Sequence, residues 1–189
     1  MALVLITPPG AEPLDLDTVK TDLRNPNDQL DSLVETHISG ARKRAEDYTG
    51  RAFINREYRL YLDSFPAADK PIELPMPPLT GVTEIRYVDT YGNTQTIESS
   101  GVRVDPASEP GRITPLYGES WPDARVITNA IEIDFTAGYG AVGEDNTPAE
   151  AKQAMFLLTE AAFERDERTM KIYEDAAMRL LDPLRVNPI

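Results

Sequence analysis

Residues 41–62 read ARKRAEDYTGRAFINREYRLYL, and within this stretch the hydrophobic period changes from helical to extended. Upstream of it and into it, Leu30, Leu33, Val34, His37, Ile38, Ala41, Ala45 and Tyr48 recur at three- and four-residue steps, which places them on one face of an α-helix. Gly50 stands where a helix C-terminus favours a left-handed residue, so the pattern predicts a helix over about 28–49 with a glycine cap. From residue 54 Tyr58, Leu60 and Leu62 alternate with Arg59, Tyr61 and Asp63, the signature of a half-buried strand. Helices come first, and a β-rich segment follows them.

Working outward, Asp15 can cap a short helix over about 16–24, with Leu16, Val19 and Leu23 on one side and Asn25-Pro26-Asn27 breaking it. In the other direction Val82, Glu84, Arg86 and Val88 alternate with Thr83, Ile85 and Tyr87 up to the turn signal Tyr91-Gly92-Asn93. Thr94 to Ile97 then return as a hairpin arm. Val102 with Val104, and Arg112 to Thr114, read as short strands, and Ile131, Ile133 and Phe135 alternate with Glu132 and Asp134 in a last one. Nine of the 16 prolines fall between Pro66 and Pro122, which argues against helix there.

Helix resumes at Thr147, read as the cap, with Pro148 at the first helical position and Glu150 three residues after the cap. Over about 18 residues Ala151, Ala154, Met155, Leu158, Ala161 and Ala162 form a small-residue stripe beside Leu157, and such a stripe permits close helix packing. A final helix is expected over about 171–181, ending before Pro183. The fold class is α+β: a small bundle of about four helices with an inserted antiparallel β-rich segment. Residues 1–53 and 141–189 supply the helical parts and 54–140 the insertion, the helices sharing one core.

The 189 residues carry 32 Asp and Glu against 19 Lys and Arg, a formal charge of -13, and acidic residues outnumber basic ones in each third of the chain. A surface of that sign repels phosphate, which excludes gripping DNA or anionic lipid as the natural task of one copy. Arg42-Lys43-Arg44, the one basic block, reads as a solvated helix face near a helix C-terminus. With no cysteine there are no disulfides or thiolate metal sites. The apolar run Ala2 to Ile6 is too short for a membrane span or a signal core, and Pro8-Pro9 follows it. A soluble protein made in the cytoplasm is expected.

Catalytic parts are missing. His37 is the only histidine and lies on the apolar side of its helix, so a packed or interface role is expected and Ser-His-Asp or multi-histidine metal sites are excluded. Gly138-Tyr139-Gly140-Ala141-Val142-Gly143 matches G-x-G-x-x-G. Glu144 and Asp145 lie where phosphates would sit, however, and the next helix opens too late, so a glycine turn is the better reading. Glu132 with Asp134 could pair as catalytic carboxylates, but alternation against Ile131 and Ile133 assigns them to the solvent side of the strand. Trp121 reads as a plug at one end of the β segment, or as a partner anchor. Neither a cofactor nor a metal is expected, and no enzyme.

The order of segments resembles a family. Glu12-Pro13-Leu14 leads into Leu16-Asp17-Thr18-Val19-Lys20. Ala45-Glu46-Asp47-Tyr48-Thr49-Gly50-Arg51-Ala52, Arg59-Leu60-Tyr61-Leu62, Phe65-Pro66 and Ile72-Glu73-Leu74-Pro75 follow. Then come Pro77-Pro78-Leu79, Val102-Arg103-Val104-Asp105, Pro110-Gly111-Arg112-Ile113, Trp121-Pro122, Ile131 to Gly140, the Pro148 helix and Leu180 to Val186. Over nearly the whole chain this series resembles the head–tail connector (head-completion, portal-adaptor) proteins of tailed bacteriophages, in the subgroup with a β-rich insertion. Ala161-Ala162-Phe163 departs from the more aromatic helix end expected of that family.

The resemblance implies a ring subunit of the virion neck, about a dozen copies docked between the portal protein and a tail stopper or terminator. It implies assembly in the host cytoplasm, and DNA that passes through the lumen without specific binding. It gives the small-residue stripe a second use, in which Ala154, Leu158 and Ala161 meet a ring neighbour. The tail at Pro183, Leu184, Arg185, Val186 and Ile189, or the last helix, would order on the portal. The competing reading is a non-catalytic ligand- or carbohydrate-binding module using the β segment around Trp121 and Tyr117. An enzyme acting through Glu132 and Asp134 stands third.

Overall fold

A computed structural model describes residues 1–8, 10–23, 28–67, 70–139 and 146–186. The chain divides into two compact units: Met1–Pro9 with Asn55–Gly138, and Gly10–Ile54 with Tyr139–Ile189. The first is all β and the second is helical, which gives the expected α+β class.

The helical unit contains α1 (Leu16–Asp22), α2 (Asp31–Thr49), α3 (Ala149–Phe163) and α4 (Glu167–Leu181), with 3-10 turns at Asp28–Leu30 and Asp182–Leu184. Asp15 caps α1 by accepting from the Thr18 amide at 2.9 Å. Gly50 closes α2 with φ 71°, and its amide donates to the Glu46 carbonyl at 2.8 Å. Around one core Ala41 and Ala45 of α2, Ala151, Ala154, Met155 and Leu158 of α3, and Ala177 and Leu181 of α4 pack with Phe53. The alanines keep the helix axes close. A second cluster gathers Val19, Val34 and Ile38 beneath α1.

Two helix starts differ from the sequence reading. Thr147 does not cap α3: its hydroxyl donates to the Phe53 carbonyl at 3.0 Å, and Pro148 (φ −52°, ψ 140°) takes the cap position in extended geometry. Helix α4 begins earlier than expected because Asp166 accepts from the Thr169 amide at 2.9 Å and so caps it.

The β unit has a five-stranded sheet in the order β1-β2-β8-β4-β5 and a three-stranded sheet β3-β7-β6, all antiparallel. The strands are β1 (Ala2–Leu5), β2 (Arg56–Leu62), β3 (Ile72–Leu74), β4 (Leu79–Val88), β5 (Thr94–Glu98), β6 (Val102–Asp105), β7 (Gly111–Pro115) and β8 (Ile131–Ala137). The apolar N-terminal run, counted with the helical part in the sequence, is instead an edge strand of this sheet, with Leu3 opposite Leu60 and Val4 opposite Arg59.

Period-2 burial sets the core. Leu60, Ile133 and Ile85 stand in one cross-strand row and are fully buried. The two sheets touch where β7 meets β4: a Cβ on Gly111 would lie 2.5 Å from the Leu79 Cβ, so only glycine fits. Trp121 seals this unit, 7% exposed, stacked on Phe65 at 5.0 Å, with its indole N–H donating to the Lys70 carbonyl.

Candidate functional site

The carboxylate pair on β8 is an ion-pair lattice. Asp134 is 6% exposed, so it does not lie on a solvent side as the alternation suggested. Its oxygens accept from Arg59 Nε at 2.6 Å and Nη2 at 2.8 Å, and from Arg86 Nη2 at 3.2 Å. Arg86 also reaches Glu132 at 2.8 Å and Glu84 at 2.8 Å. The cause lies in the register, which aligns Arg59, Asp134 and Glu84 in one row. Burial pushes the Asp134 carboxyl up, but the hydrogen bonds and charge of Arg59, then Arg86, outweigh it and hold the group below the usual carboxylate range. A carboxylate kept ionised between two guanidiniums holds no proton to donate. Among the described residues no group of three His, Cys, Asp or Glu is placed to hold a metal ion.

The basic block is also committed. Arg42 is buried, donating from Nε to Glu12 at 2.7 Å and from Nη1 to Glu46 at 2.8 Å. Glu46, itself 2% exposed, accepts from the Phe53 amide at 3.1 Å. Lys43 pairs with Asp47, and Arg44 with Glu174. Only Lys43 and Arg44 fit the expected solvated face. His37 packs edge-on against Phe163 at 4.7 Å.

The residues expected at a ring or portal interface fall into two groups. Ala154, Leu158 and Ala161 are 0%, 5% and 4% exposed, inside the helical unit's own core, the intramolecular use of the stripe. Pro183, Leu184, Arg185 and Val186 follow α4 and lie against the end of α2. The Val186 amide donates to the Thr49 carbonyl at 2.8 Å, Arg51 donates to the Leu184 carbonyl, and the Arg185 guanidinium sits 5.1 Å from the Tyr48 ring centre. The Tyr48 hydroxyl and the Asp182 carboxylate are joined as well. This stretch therefore makes contacts of its own with the end of α2. Its Pro183 and Arg185 are exposed. Ile189 lies outside the described residues, as does the Gly140–Gly143 part of the glycine string. Gly138 donates to the Pro78 carbonyl, and Tyr139 stacks on Phe53.

For a binding module, Trp121 would have to present its ring, and that ring is spent on Phe65. Tyr117, by contrast, is fully exposed.

Sequence reasoning missed β1. All four of its residues are exposed, among them Leu3 at 37%, Val4 at 48% and Leu5 at 41%, and they carry no charge. An uncharged apolar run closed by prolines was the available signal; its pairing with β2, some 55 residues away, was not.

Solved structures similar to this chain come from gene transfer agent (GTA) particles. A chain in the neck of an empty GTA particle computed with C6 symmetry matches with TM-score 0.82 and 26% identity, over 100% of this chain and 97% of its own. One in the neck of a native GTA particle computed with C12 symmetry matches with TM-score 0.73 and 29% identity, over the same shares. A third, in the virion of a native gene transfer agent (GTA) particle, gives TM-score 0.77 and 26% identity, again over 100% and 97%. No protein-family model and no curated protein sequence matches the chain.

Proposed function

We propose that this chain, which belongs to the head–tail connector family of tailed bacteriophages and phage-like particles, is a ring subunit of the virion neck that joins the portal to the tail or its stopper. The observation that carries the reading is the match to neck proteins over the whole chain, both units included, at a TM-score of 0.82. Those necks were computed with C6 and C12 symmetry, which supports a closed homo-oligomeric ring of about a dozen copies.

The chemistry agrees with a passive conduit. A net charge of -13 on each copy gives a ring whose lumen offers DNA phosphates no binding wells, so the genome slides past. Arg59, Arg86 and Arg42, which could have held phosphate, are already neutralised by carboxylates. The exposed Pro183 and Arg185, held at the end of α2, form a preorganised contact for the portal.

Electron microscopy of this chain mixed with the portal ring encoded beside it tests the reading. Added ring density on the portal is the expected result. Bare portals, with the chain folded and well above micromolar concentration, would sink it.

A further inference from the structure

The five-stranded sheet ends on two open edges, β1 and β5. All of β1 and four of the five residues of β5 are exposed, and among the described residues no further strand pairs with either. Open edges with unpaired N–H and C=O groups are normally guarded by charge, proline or a bulge. Ala2 to Leu5 has no charge, and its first proline lies beyond Thr7.

The cross-strand register makes the two edges complementary. The apolar row runs Leu3, Leu60, Ile133, Ile85, Ile97. Its three inner members are fully buried, whereas Leu3 is 37% exposed and Ile97 is half-buried. The row therefore stops at a partly wetted aliphatic side chain on both ends. The next row, Val4, Arg59, Asp134, Glu84, Glu98, lies on the other face and also reaches both edges.

Direction adds a second constraint. All four neighbouring pairs in the sheet are antiparallel, so β1 and β5, four steps apart, run the same way. The small rotation that carries one copy onto the next in a ring of about a dozen turns that direction by no more than about 30° and brings two different edges together, which is the heterologous contact a closed ring requires.

From these edges we infer that β1 of one copy pairs in parallel with β5 of the next, so that the sheets join across subunits. In that pairing Leu3 meets Ile97 and Val4 stands level with Glu98, and the apolar row continues without a break. The occupant of the β1 edge is thus a second copy of this chain. The inference rests on the ring reading above and goes further by naming the contact.

The chain has no cysteine, so introduced thiols report alone. Val4 and Glu98 are both exposed, and substituting them leaves the core untouched. Paired strands lie about 4.8 Å apart, within the reach of a disulfide. Rings of V4C/E98C chains on portals, first verified by microscopy and then oxidised, should give a covalent ladder well beyond dimer on a non-reducing gel. A mixture of V4C and E98C single variants should give dimers only, and each single variant alone should give monomers. Rings visible by microscopy that yield no ladder would overturn the contact while leaving the ring reading standing. Dimers of V4C alone would also overturn it, in favour of an antiparallel β1–β1 pair. Portals left bare by folded variant and unmodified chain alike would bring down the ring reading, and this contact with it.

Discussion

In the helical unit the Arg42 guanidinium is buried between Glu12 and Glu46, inside the fold. In the β unit Arg59 and Arg86 share Asp134 and Glu132 on the second face of a sheet whose first face is apolar. The helical charges fix the path of the chain. Glu12 ties the approach to α1 onto α2, and Glu46 holds the Phe53 amide where the chain leaves α2. The sheet charges fix which face is core, and they leave the apolar row free to run out to both edges. Damage to the first arrangement should therefore unfold, whereas damage at the ends of the second should spare the fold and alter association.

The largest expected effect is at Arg42. Arg42→Met strands the Glu46 carboxylate in a buried site and should cost about 3–5 kcal/mol, read as a lowered midpoint for loss of helical circular dichroism in urea. The contrast with the β unit breaks if the fluorescence of Trp121, the only tryptophan, loses as much stability as the helical signal. Next comes Gly111→Ala, which forces a Cβ into the Leu79 side chain and should cost about 1–3 kcal/mol, now read first by Trp121.

Smaller still is the acid limb at Asp105. Hydrogen bonds from Ser108 and then Arg112 hold its carboxyl down at about 2, against an ordinary value of 3.8. Because the folded value is the lower one, its stabilising contribution is complete above the ordinary value. That contribution is lost as pH falls through 3.8 toward 2. The stability difference between the parent and Asp105→Asn should therefore shrink across that window in acid-titrated urea melts, and a constant difference would contradict the assignment. The smallest effect on stability is at Leu3→Lys, within about 0.5 kcal/mol of the parent because the side chain is already part exposed. The same variant should fail to form rings on the portal, which separates folding from association in one substitution.

Much of the fold was legible where one segment carries its own signal. Asp15 with Thr18, the α2 stripe closed by Gly50, and the β4–β5 hairpin depend on neighbours in sequence. What escaped depended on distant partners. Asp134 looks like a solvent carboxylate until Arg59 and Arg86 arrive from two other strands. Thr147 has the cap chemistry, yet Pro148 (ψ 140°) takes the cap position and the Thr147 hydroxyl donates to the Phe53 carbonyl. Ala2 to Leu5 is too short to declare itself a strand without β2. The candidate site was the least legible part, because the alanine stripe of α3 serves a core and a neighbour equally well until burial is known.

The pairing of Arg56 with Ala137 has an evolutionary consequence. It brings the two ends of the long β excursion to neighbouring positions on adjacent strands, about one strand spacing apart. To the helical scaffold, the whole excursion between Ile54 and Tyr139 is then equivalent to a short loop. A lineage can acquire, exchange or discard such a cassette without redesigning the host helices, as happens with domains inserted at surface turns. The strand lent by residues 2–5 would be the one piece left behind, a solvent-exposed apolar remnant under selection to be trimmed.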